Sequence, residues 1–288
     1  MTELTIDRLL VVGAGVMGAQ IAALGALGGL NVSLCDISKD ALDRAQTELE
    51  KRLTRMAQKE KISQKECEDS LGRLRYSTDM ASEATQADFV IEAVAESFPI
   101  KETVFRQLDQ WLPEHAVIAS NSSSIVASKL AAVTQRPDRV LNMHFFNPPL
   151  LMDCVEVVGH EGVSESAVSA AMALAETMNR QAVHVKKEIP GFIANRLLAV
   201  LFHEAIALYE GGYATAQEID LICRNALNHP MGPFQLLDLG GIDVNFGMQN
   251  LLYEQTGDED FLPQKTITEM VDQNLLGRKT GKGFYEYA

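Results

Sequence analysis

Short apolar runs alternate with longer stretches of helical periodicity up to about residue 190. Eight runs have the length and composition of buried strands: RLLVVG, NVSLCD, RLRYST, DFVIEAV, AVIASN, VLNMHFF, CVEVVG and AVHVKK. Helical stretches, notably residues 38–61 and 101–112, lie between several of them. Strands that alternate with helices predict a mostly parallel sheet whose crossover connections are helical.

The pattern changes after Pro190. The segment GFIANRLLAVLFHEAIALYEGG repeats apolar residues at helical spacing and ends in two glycines. Later segments are also helical, with turns at NHPMGP and GRKTGKG. We therefore predict an α/β domain over residues 1–189 and a smaller all-α domain over residues 190–288. The long helix has more apolar surface than a thin helical domain can bury, which predicts a homodimer through the C-terminal domain.

One uncharged stretch, from Leu9 to Cys35, has the hydrophobicity of a membrane span or a signal sequence. Six glycines interrupt it, and Asp36 follows directly. Its pattern also changes from strand-like to helix-like at the first glycines, so a buried strand, turn and helix is the better interpretation. No membrane association is expected.

Composition and charge exclude some classes of function. The chain has 288 residues, of which 47% are hydrophobic, and its formal charge is −14 from 39 acidic and 25 basic residues. This acidic balance argues against a nucleic-acid partner, which requires Lys and Arg to neutralise phosphates. The four cysteines are far apart and form no CxxC pair, so we expect no metal site, no disulfide framework and a reducing, cytoplasmic setting.

A glycine motif, GxGxxG, follows the first predicted strand and opens a helix. Its glycines are Gly13, Gly15 and Gly18, with Val16 and Met17 between the last two. In this context the motif predicts a Rossmann-like dinucleotide site, in which Gly13 permits a tight turn, Gly15 admits the pyrophosphate and Gly18 allows close helix packing. The first turn of the helix would offer its N–H groups to the phosphates.

Asp36 ends the second predicted strand and indicates which dinucleotide binds. A carboxylate accepts hydrogen bonds from ribose hydroxyls and repels a 2′-phosphate, so NAD is predicted rather than NADP. The alternative is that Asp36 merely caps the following helix, a role that Ser38 could also fill.

A histidine among apolar residues, His144 in NMHFFNPP, has two interpretations. It is either a core histidine with one hydrogen-bond partner or a catalytic base held by a carboxylate. Glu156 follows twelve residues later in DCVEVV. For the two to meet, the intervening NPPLLM must turn the chain back so that their strands lie side by side.

Several motifs in order carry a resemblance to a known family. SNSSS, HFFNP, VEVV, IPGFIANRL, MGPFQLLD and GRKTGKGFYEY span nearly the whole chain. Together they resemble the short-chain L-3-hydroxyacyl-CoA dehydrogenases, of the 3-hydroxybutyryl-CoA dehydrogenase type. The resemblance implies reversible, NAD-linked oxidation of an L-3-hydroxyacyl-CoA to the 3-oxoacyl-CoA.

The resemblance also implies roles for individual residues. His144 matches the family's catalytic base and Glu156 its partner, and Ser123 matches an active-site serine that contacts substrate and cofactor. Asn195 matches a substrate-orienting group, which implies a site between the domains. Further positions match the cofactor site near the nicotinamide and its ribose: Glu96, Lys101, Asn147 and Lys279. Asn195 as a helix cap, and Lys101 and Lys279 as solvated surface charges, remain alternatives.

A basic stretch, KRLTRMAQKEK at residues 51–61, carries five basic residues and one acid in an otherwise acidic chain. Lys51, Arg55 and Lys59 recur every four residues and share a helix face. The face is either solvated and paired with nearby glutamates or a site for the phosphates of coenzyme A. The resemblance places this region at the CoA end, with Arg52, Arg55 and Lys59 as substrate-binding residues, although relatives can have serine at Arg52.

Two competing functions stay open. A dehydrogenase of a free 3-hydroxy acid, of the gulonate or carnitine type, would share the dinucleotide site and the His–Glu pair without needing the basic face. A non-catalytic NAD-binding protein would need the dinucleotide site but neither the His–Glu pair nor the basic face. The chain departs from the family pattern at Pro149-Leu150-Leu151-Met152-Asp153 and at Asn228, so the preferred acyl length is left open.

Overall fold

The computed structural model describes residues 5–287. The chain divides into two compact units, with the division between Glu188 and Ile189.

Over residues 5–188 the first unit contains eight strands and seven α-helices. The strands are Arg8–Val12 (β1), Asn31–Cys35 (β2), Leu74–Ser77 (β3), Phe89–Glu92 (β4), Val117–Ser120 (β5), Val140–Phe145 (β6), Cys154–Val158 (β7) and Gln181–Val185 (β8). The helices are Val16–Leu27 (α1), Lys39–Gln58 (α2), Gln64–Arg73 (α3), Met80–Ala84 (α4), Phe98–Trp111 (α5), Ala127–Ala131 (α6) and Glu165–Thr177 (α7). All eight predicted strands are present.

One sheet holds all eight strands in the order β3-β2-β1-β4-β5-β6-β7-β8. The pairs among β1–β6 are parallel, β6 and β7 are antiparallel, and β7 and β8 are parallel. The prediction of a mostly parallel, Rossmann-like sheet is therefore confirmed. Because the strand order reverses at β1, ligands of such sheets bind beyond the carboxyl ends of β1 and β4.

Helices cover both faces of the sheet, and β1 shows why. Leu9 and Val11 pack into a core with α1, α2 and α7, whereas Leu10 and Val12 pack into a second core with α5 and α6. A strand buried on both faces has no polar side, so it appears in the sequence as a continuous apolar run. The same burial accounts for the uncharged stretch that resembled a membrane span.

The helix boundaries differ from the predicted ones. Residues 38–61 were predicted as one helix, but α2 ends at Gln58 and Glu60 adopts a positive φ of 56°. A new helix, α3, then begins after Ser63, whose hydroxyl and Glu66 form a reciprocal capping box. The helix predicted from residue 101 begins earlier, at Phe98, because Pro99 is well tolerated in a first turn.

The second unit is helical, as predicted. Its helices are Ala194–Glu210 (α8), Ala216–Asn225 (α9), Pro233–Gly240 (α10), Ile242–Thr256 (α11) and Lys265–Asp272 (α12). Their apolar faces form a core that includes Phe202, Ile206, Phe234 and Ile267.

The C-terminal residues are held by two buried aspartates. Asp220 accepts hydrogen bonds from the Phe234 and Gln235 amides and from the Tyr285 hydroxyl. Asp238 accepts them from the Phe284 and Tyr285 amides and from the Tyr287 hydroxyl. Asp220, Asp238, Tyr285 and Tyr287 are called the C-terminal latch below. The latch makes the end of the chain part of the second unit's core.

Within residues 5–287, no helix is long and apolar enough to cross a membrane.

Candidate active site

The glycine loop after β1 requires each of its three glycines for a different reason. Gly13 has a φ of 108°, and a Cβ there would strike the Ala93 carbonyl. At Gly18 a Cβ would overlap the carbonyl oxygen of Gly13, so only glycine lets α1 approach the loop. Around Gly15 a Cβ would meet no atom within 4 Å. This is the open approach to the backbone that a pyrophosphate needs.

A cleft of about 1080 Å³ opens at this edge of the sheet. Its walls include Gly15 and Val16 at the start of α1, Asp36 after β2, and Arg44 and Arg52 on α2. The segment after β4, residues 93–95, and the first turns of α5 close the other side. The N-terminus of α1 has no side-chain cap, so its amides are available to an anion. These features fit a bound dinucleotide.

Asp36 connects the glycine loop to the start of α2. Its Oδ2 accepts a hydrogen bond of 2.8 Å from the Ala14 amide, and its Oδ1 accepts one of 2.8 Å from the Ser38 amide. The cap of α2 is Ser38, whose hydroxyl accepts from the Ala41 amide. The alternative in which Asp36 caps α2 is therefore wrong. An ionised carboxylate has about four acceptor positions, so capacity remains for ribose hydroxyls.

His144 and Glu156 meet across two antiparallel strands. The two residues are paired in the register of β6 and β7. Nδ1 of His144 lies 2.8 Å from Oε2 of Glu156, and the residues are 7% and 3% exposed. The turn that NPPLLM makes between the strands brings them together as the sequence suggested.

The geometry of this pair fixes the histidine tautomer. An ionised carboxylate can only accept a hydrogen bond, so Nδ1 carries the hydrogen and Nε2 keeps the lone pair. The imidazole ring also packs edge-on against Phe146, with ring centroids 4.7 Å apart. The side chain is therefore oriented from two directions.

The serine loop, residues 120–124, follows β5 and lies beside β6. The hydroxyls of Ser122 and Ser124 both donate to Oε1 of Glu96. Asn142 on β6 supports the loop by donating to the Ile125 carbonyl at 3.1 Å. Ser123 lies between Ser122 and Ser124, whose hydroxyls are both bound to Glu96. The Ser123 hydroxyl itself forms no hydrogen bond with any residue in the described range 5–287. It is thus the member of the loop available to a ligand.

A buried ion pair between Lys101 and Glu92 contacts the first residue of the serine loop, Ser120. Lys101 and Glu92 are 1% and 0% exposed, and their Nζ and Oε1 atoms are 2.7 Å apart. Oε2 of Glu92 accepts from the Ser120 hydroxyl at 2.6 Å, and Oε1 also accepts from the Val94 amide at 2.7 Å. Glu92 therefore joins the cleft segment after β4 to the base of the serine loop. The surface-charge alternative for Lys101 is wrong.

Glu96 is held in its charged form by this network. Burial opposes ionisation, but the Lys101 ammonium and the hydroxyls of Ser122 and Ser124 outweigh it and lower the pKa of Glu96. Lys101 Nζ is 3.2 Å from Glu96 Oε2, so one cation serves two carboxylates.

Comparison with known proteins identifies the family to which this chain belongs. The NAD-binding domain of 3-hydroxyacyl-CoA dehydrogenase matches residues 8–189, and the C-terminal domain of 3-hydroxyacyl-CoA dehydrogenase matches residues 191–287. The chain belongs to the 3-hydroxyacyl-CoA dehydrogenase family. It is therefore an oxidoreductase that acts on a CH–OH group with NAD as cofactor.

Individual relatives match along more than nine tenths of their length. A probable 3-hydroxybutyryl-CoA dehydrogenase of Bacillus subtilis is 39% identical over 98% of this chain and 98% of its own. The mitochondrial hydroxyacyl-coenzyme A dehydrogenase of Sus scrofa is 36% identical over 99% of this chain and 92% of its own. The crystal structure of (S)-3-hydroxybutyryl-CoA dehydrogenase from Ralstonia eutropha superposes with a TM-score of 0.94 at 37% identity, covering 99% of this chain and 100% of that one.

The remaining predicted site residues of the dehydrogenase are placed as follows. Asn147 is exposed just beyond the end of β6. Asn195 is the second residue of α8, whose cap position is Ile193, so Asn195 is not a helix cap. Lys279, in the second unit, is paired with Asp243 and is partly exposed.

Lys51, Arg52 and Arg55 of α2 are exposed, as is Lys59 just beyond its end; these four residues are called the basic face of α2 below. Arg52 lies 3.8 Å from Glu48, and both line the large cleft. Among residues 5–287, Lys51, Arg55 and Lys59 form no ion pair with an acid, so the alternative of a face neutralised by Glu48 or Glu60 does not apply to these three. They leave unpaired positive charge on the surface of the dehydrogenase.

Sequence reasoning missed Glu92 and Asn142, the two polar residues that hold the serine loop. Glu92 is the single polar residue of the strand FVIE, and Asn142 is the single polar residue besides His144 in the strand VLNMHF. A buried polar residue needs partners, and that requirement was the available signal. Its partners could not be named, because Ser120 lies 28 residues from Glu92.

Proposed function

We propose that this enzyme interconverts a short-chain L-3-hydroxyacyl-CoA, such as 3-hydroxybutyryl-CoA, and the corresponding 3-oxoacyl-CoA. The pairing of His144 with Glu156 beside the serine loop carries the proposal. This geometry supplies a general base at the sheet edge where the cleft opens. The names of the Bacillus and Ralstonia relatives support the short acyl chain.

In this proposal Nε2 of His144 removes the proton from the 3-hydroxyl group. NAD, when bound, accepts the hydride that leaves C3. The Glu156 carboxylate stabilises the imidazolium that forms and keeps Nε2 aimed in one direction, as in hydrolytic triads. In the reverse direction the imidazolium returns the proton to the carbonyl oxygen. The low exposure of the pair strengthens this electrostatic stabilisation, since water would screen it.

Other residues orient the reactants. The free hydroxyl of Ser123 supports a hydrogen bond to the reacting oxygen, and Asn195 is proposed to orient the same part of the substrate. The proposed cofactor contacts come from Gly13, Gly15, Val16, Met17, Gly18, Asp36, Glu96, Lys101, Ser123, Asn147 and Lys279. For Glu96 and Lys101 the observation in support is their shared network behind the serine loop.

The exposed basic face of α2 is proposed to bind the phosphates of coenzyme A. Arg55 and Lys59 carry positive charge without an acidic partner in the described part of the chain, and Arg52 reaches the cleft. Arginine and lysine are the usual phosphate partners because their charge and donors match phosphate oxygens.

One assay distinguishes this function from its competitors. NADH oxidation is measured with acetoacetyl-CoA, acetoacetate and dehydrocarnitine as alternative substrates. We expect turnover of acetoacetyl-CoA alone. Turnover of only the free acids would contradict the CoA substrate, and no turnover with any of them would indicate a non-catalytic NAD-binding protein.

A homodimer is proposed through α8. Ile193, Leu197 and Val200 are 42%, 67% and 64% exposed and recur at helical spacing along one side. Such an apolar stripe on a surface helix typically marks a protein interface. Light scattering of the wild-type protein should give twice the 31.6 kDa chain mass. A monomer at micromolar concentration would contradict this assembly.

A further inference from the structure

The turn between β6 and β7, residues 146–153, contains one peptide unit that is held by both of its polar groups. The carbonyl of Pro149 accepts hydrogen bonds from Nε and Nη2 of Arg180 at 3.2 and 3.1 Å. The amide of the next residue, Leu150, donates to Oε1 of Gln20 at 3.3 Å. The C=O and N–H groups of a trans peptide point in opposite directions, so the unit is held from two sides.

The two side chains that hold this unit are buried and come from different elements. Gln20 is 3% exposed and belongs to α1, the helix that follows the glycine loop. Arg180 is 9% exposed, lies between α7 and β8, and donates from Nη1 to the Asn179 carbonyl at 2.7 Å. A guanidinium is planar and its donors have a fixed geometry, so Arg180 is a rigid anchor. Gln20 then connects the turn to the helix at the dinucleotide cleft.

The other polar group of Gln20 is available to a ligand. A backbone N–H can only donate, so the Gln20 atom that meets Leu150 is the oxygen, and the orientation of the amide is fixed. Its Nε2 donates to no residue in the described range 5–287. Nε2 is also not one of the enclosed polar atoms of that range that lack a partner, and Gln20 lines the large cleft. The two hydrogens on Nε2 are therefore accessible from the cleft.

The position of Gln20 indicates which part of the cofactor Nε2 meets. Side chains of a helix lean toward its N-terminus, so the Gln20 amide lies toward the glycine loop, where the pyrophosphate is expected. Asp36, the expected ribose partner of the adenosine half, follows β2 on one side of β1, whereas the turn that Gln20 contacts follows β6 on the other side. Gln20 therefore faces the phosphate nearer the nicotinamide.

We propose that Gln20 is a cofactor contact that also positions the β6–β7 turn. Nε2 donates to an oxygen of the nicotinamide-side phosphate of NAD, while Oε1 holds the amide of Leu150. The contact itself requires only the cofactor that the family uses. Its kinetic consequence rests on the proposed function, because the turn joins the strands that carry His144 and Glu156.

Gln20 holds the turn more firmly when the cofactor is bound. Donation to the phosphate fixes the side chain, and hydrogen bonds that follow one another in a chain polarise each other. The amide oxygen of Gln20 thereby becomes a stronger acceptor for the Leu150 N–H. The turn beside His144 should therefore be less mobile in the loaded enzyme than in the empty one.

Exchange of the Leu150 amide hydrogen with solvent deuterium tests this coupling. Saturating NADH should slow the exchange by about three- to tenfold in the wild type, a factor typical of one hydrogen bond. AMP, which contains the adenosine half alone, should leave the rate unchanged. In Gln20→Met the exchange should be faster and should no longer respond to NADH. Gln107→Met is the control and should respond like the wild type, because Gln107 lines the same cleft but forms no hydrogen bond with the turn among the described residues.

Gln20→Glu separates the two roles and serves also if Gln20→Met fails to fold. It keeps the acceptor for Leu150 but replaces the donor with a carboxylate oxygen that repels phosphate. The Kd of NADH, measured by fluorescence, should rise by at least about tenfold. At saturating NADH the kcat for acetoacetyl-CoA should stay within about twofold of the wild type, whereas Gln20→Met should lower it by about three- to tenfold. A side chain that serves only the fold would not divide the two effects in this way.

Two results would overturn this inference and leave the proposed function standing. One is an NADH affinity that is unchanged in both Gln20 variants, which would exclude the cofactor contact. The other is a Leu150 exchange rate that does not respond to NADH in the wild type, which would exclude the coupling. Absence of acetoacetyl-CoA turnover in the wild type would instead contradict the proposed function, and the exchange and affinity measurements would still decide this inference.

Discussion

His144 and Glu156 face each other in register across β6 and β7, with Nδ1 and Oε2 2.8 Å apart. His144→Gln should lower kcat for acetoacetyl-CoA reduction by about 10²–10⁴-fold, the usual contribution of a general acid–base group. Glu156→Gln should lower kcat as well, since it removes the charge that stabilises the imidazolium. NADH binding, followed by fluorescence, should change little in either variant.

The control for this pair is His184→Gln on the neighbouring strand β8, where the histidine is exposed. It should keep wild-type activity. Loss of NADH binding in His144→Gln would show that this histidine serves the fold instead.

Asp36 should determine the preference for NADH over NADPH. Asp36→Ala removes the carboxylate that would repel a 2′-phosphate, so the NADH-to-NADPH ratio of kcat/KM should fall by about tenfold or more. Asp40→Asn, at an exposed acid on the first turn of α2, should leave the ratio unchanged. A wild-type preference for NADPH would refute the assignment.

Glu92 should contribute to stability and to activity in separable ways. Glu92→Gln removes one carboxylate from a buried cation, which typically costs about 3–5 kcal/mol in the free energy of unfolding. The double variant Glu92→Gln/Lys101→Met removes both charges and should recover much of that stability. The kcat of the double variant should be as low as that of Glu92→Gln, because the serine loop and Glu96 have both lost their contacts with the Glu92–Lys101 ion pair. Urea unfolding measures the free energy of unfolding, and steady-state kinetics measures kcat. Full activity in the double variant would show that Glu92 and Lys101 serve only the stability of the fold.

The basic face of α2 should affect the Michaelis constant rather than the turnover number. Arg55→Ser and Lys59→Ser should each raise KM for acetoacetyl-CoA by about three- to tenfold at low salt, consistent with the loss of about 1 kcal/mol of attraction at a surface site. The effect should shrink as ionic strength rises. Lys65→Ser, at an exposed lysine of α3, serves as the control. Equal KM values in all four proteins would contradict a role for this face.

The C-terminal latch should make stability sensitive to alkaline pH. Burial, followed by the hydrogen bond to Asp220, raises the pKa of Tyr285. The folded protein therefore resists deprotonation, so the bond is intact below the ordinary tyrosine pKa of about 10 and its contribution declines as the pH rises further. Tyr285→Phe should cost about 1.5–3 kcal/mol in the free energy of unfolding at pH 8.

Between about pH 9 and 11.5 the free energy of unfolding should fall more steeply in the wild type than in Tyr285→Phe. Tyr213→Phe is the matched control, because Tyr213 is 79% exposed. If the free energy of unfolding fell equally steeply with pH in the wild type and in Tyr285→Phe, the ionisation of Tyr285 would not be the cause of the alkaline loss of stability.

The sequence was informative where the physical cause is local. The central strands β1 and β4 to β7 were predictable because strands buried on both faces are continuous apolar runs bounded by turn residues. The glycine loop was predictable because two of its requirements are local: Gly13 has a φ of 108°, and a Cβ at Gly18 would overlap the carbonyl oxygen of Gly13. The end of α2 was not, since it depends on one residue, Glu60, that adopts a positive φ.

The candidate site was predictable only in part. His144 and Glu156 could be paired because a short turn joins their strands. Glu92 could not be assigned a role, since Ser120 reaches it only through the parallel pairing of β4 with β5, and Lys101 only through the way α5 packs after β4.

The C-terminal latch also bears on how genes for this enzyme can fail. A reading frame that stops after Lys282 would still encode every residue proposed to bind cofactor or substrate, Lys279 included. It would lack the Phe284 and Tyr285 amides and the Tyr287 hydroxyl, which are the donors to Asp238, and the Tyr285 hydroxyl, which is one of three donors to Asp220. Asp238 is 1% exposed, and a buried carboxylate without donors is costly enough to prevent the second unit from folding. A surveyed genome with such a late stop codon would therefore retain every motif except the end of GRKTGKGFYEY and yield no working enzyme.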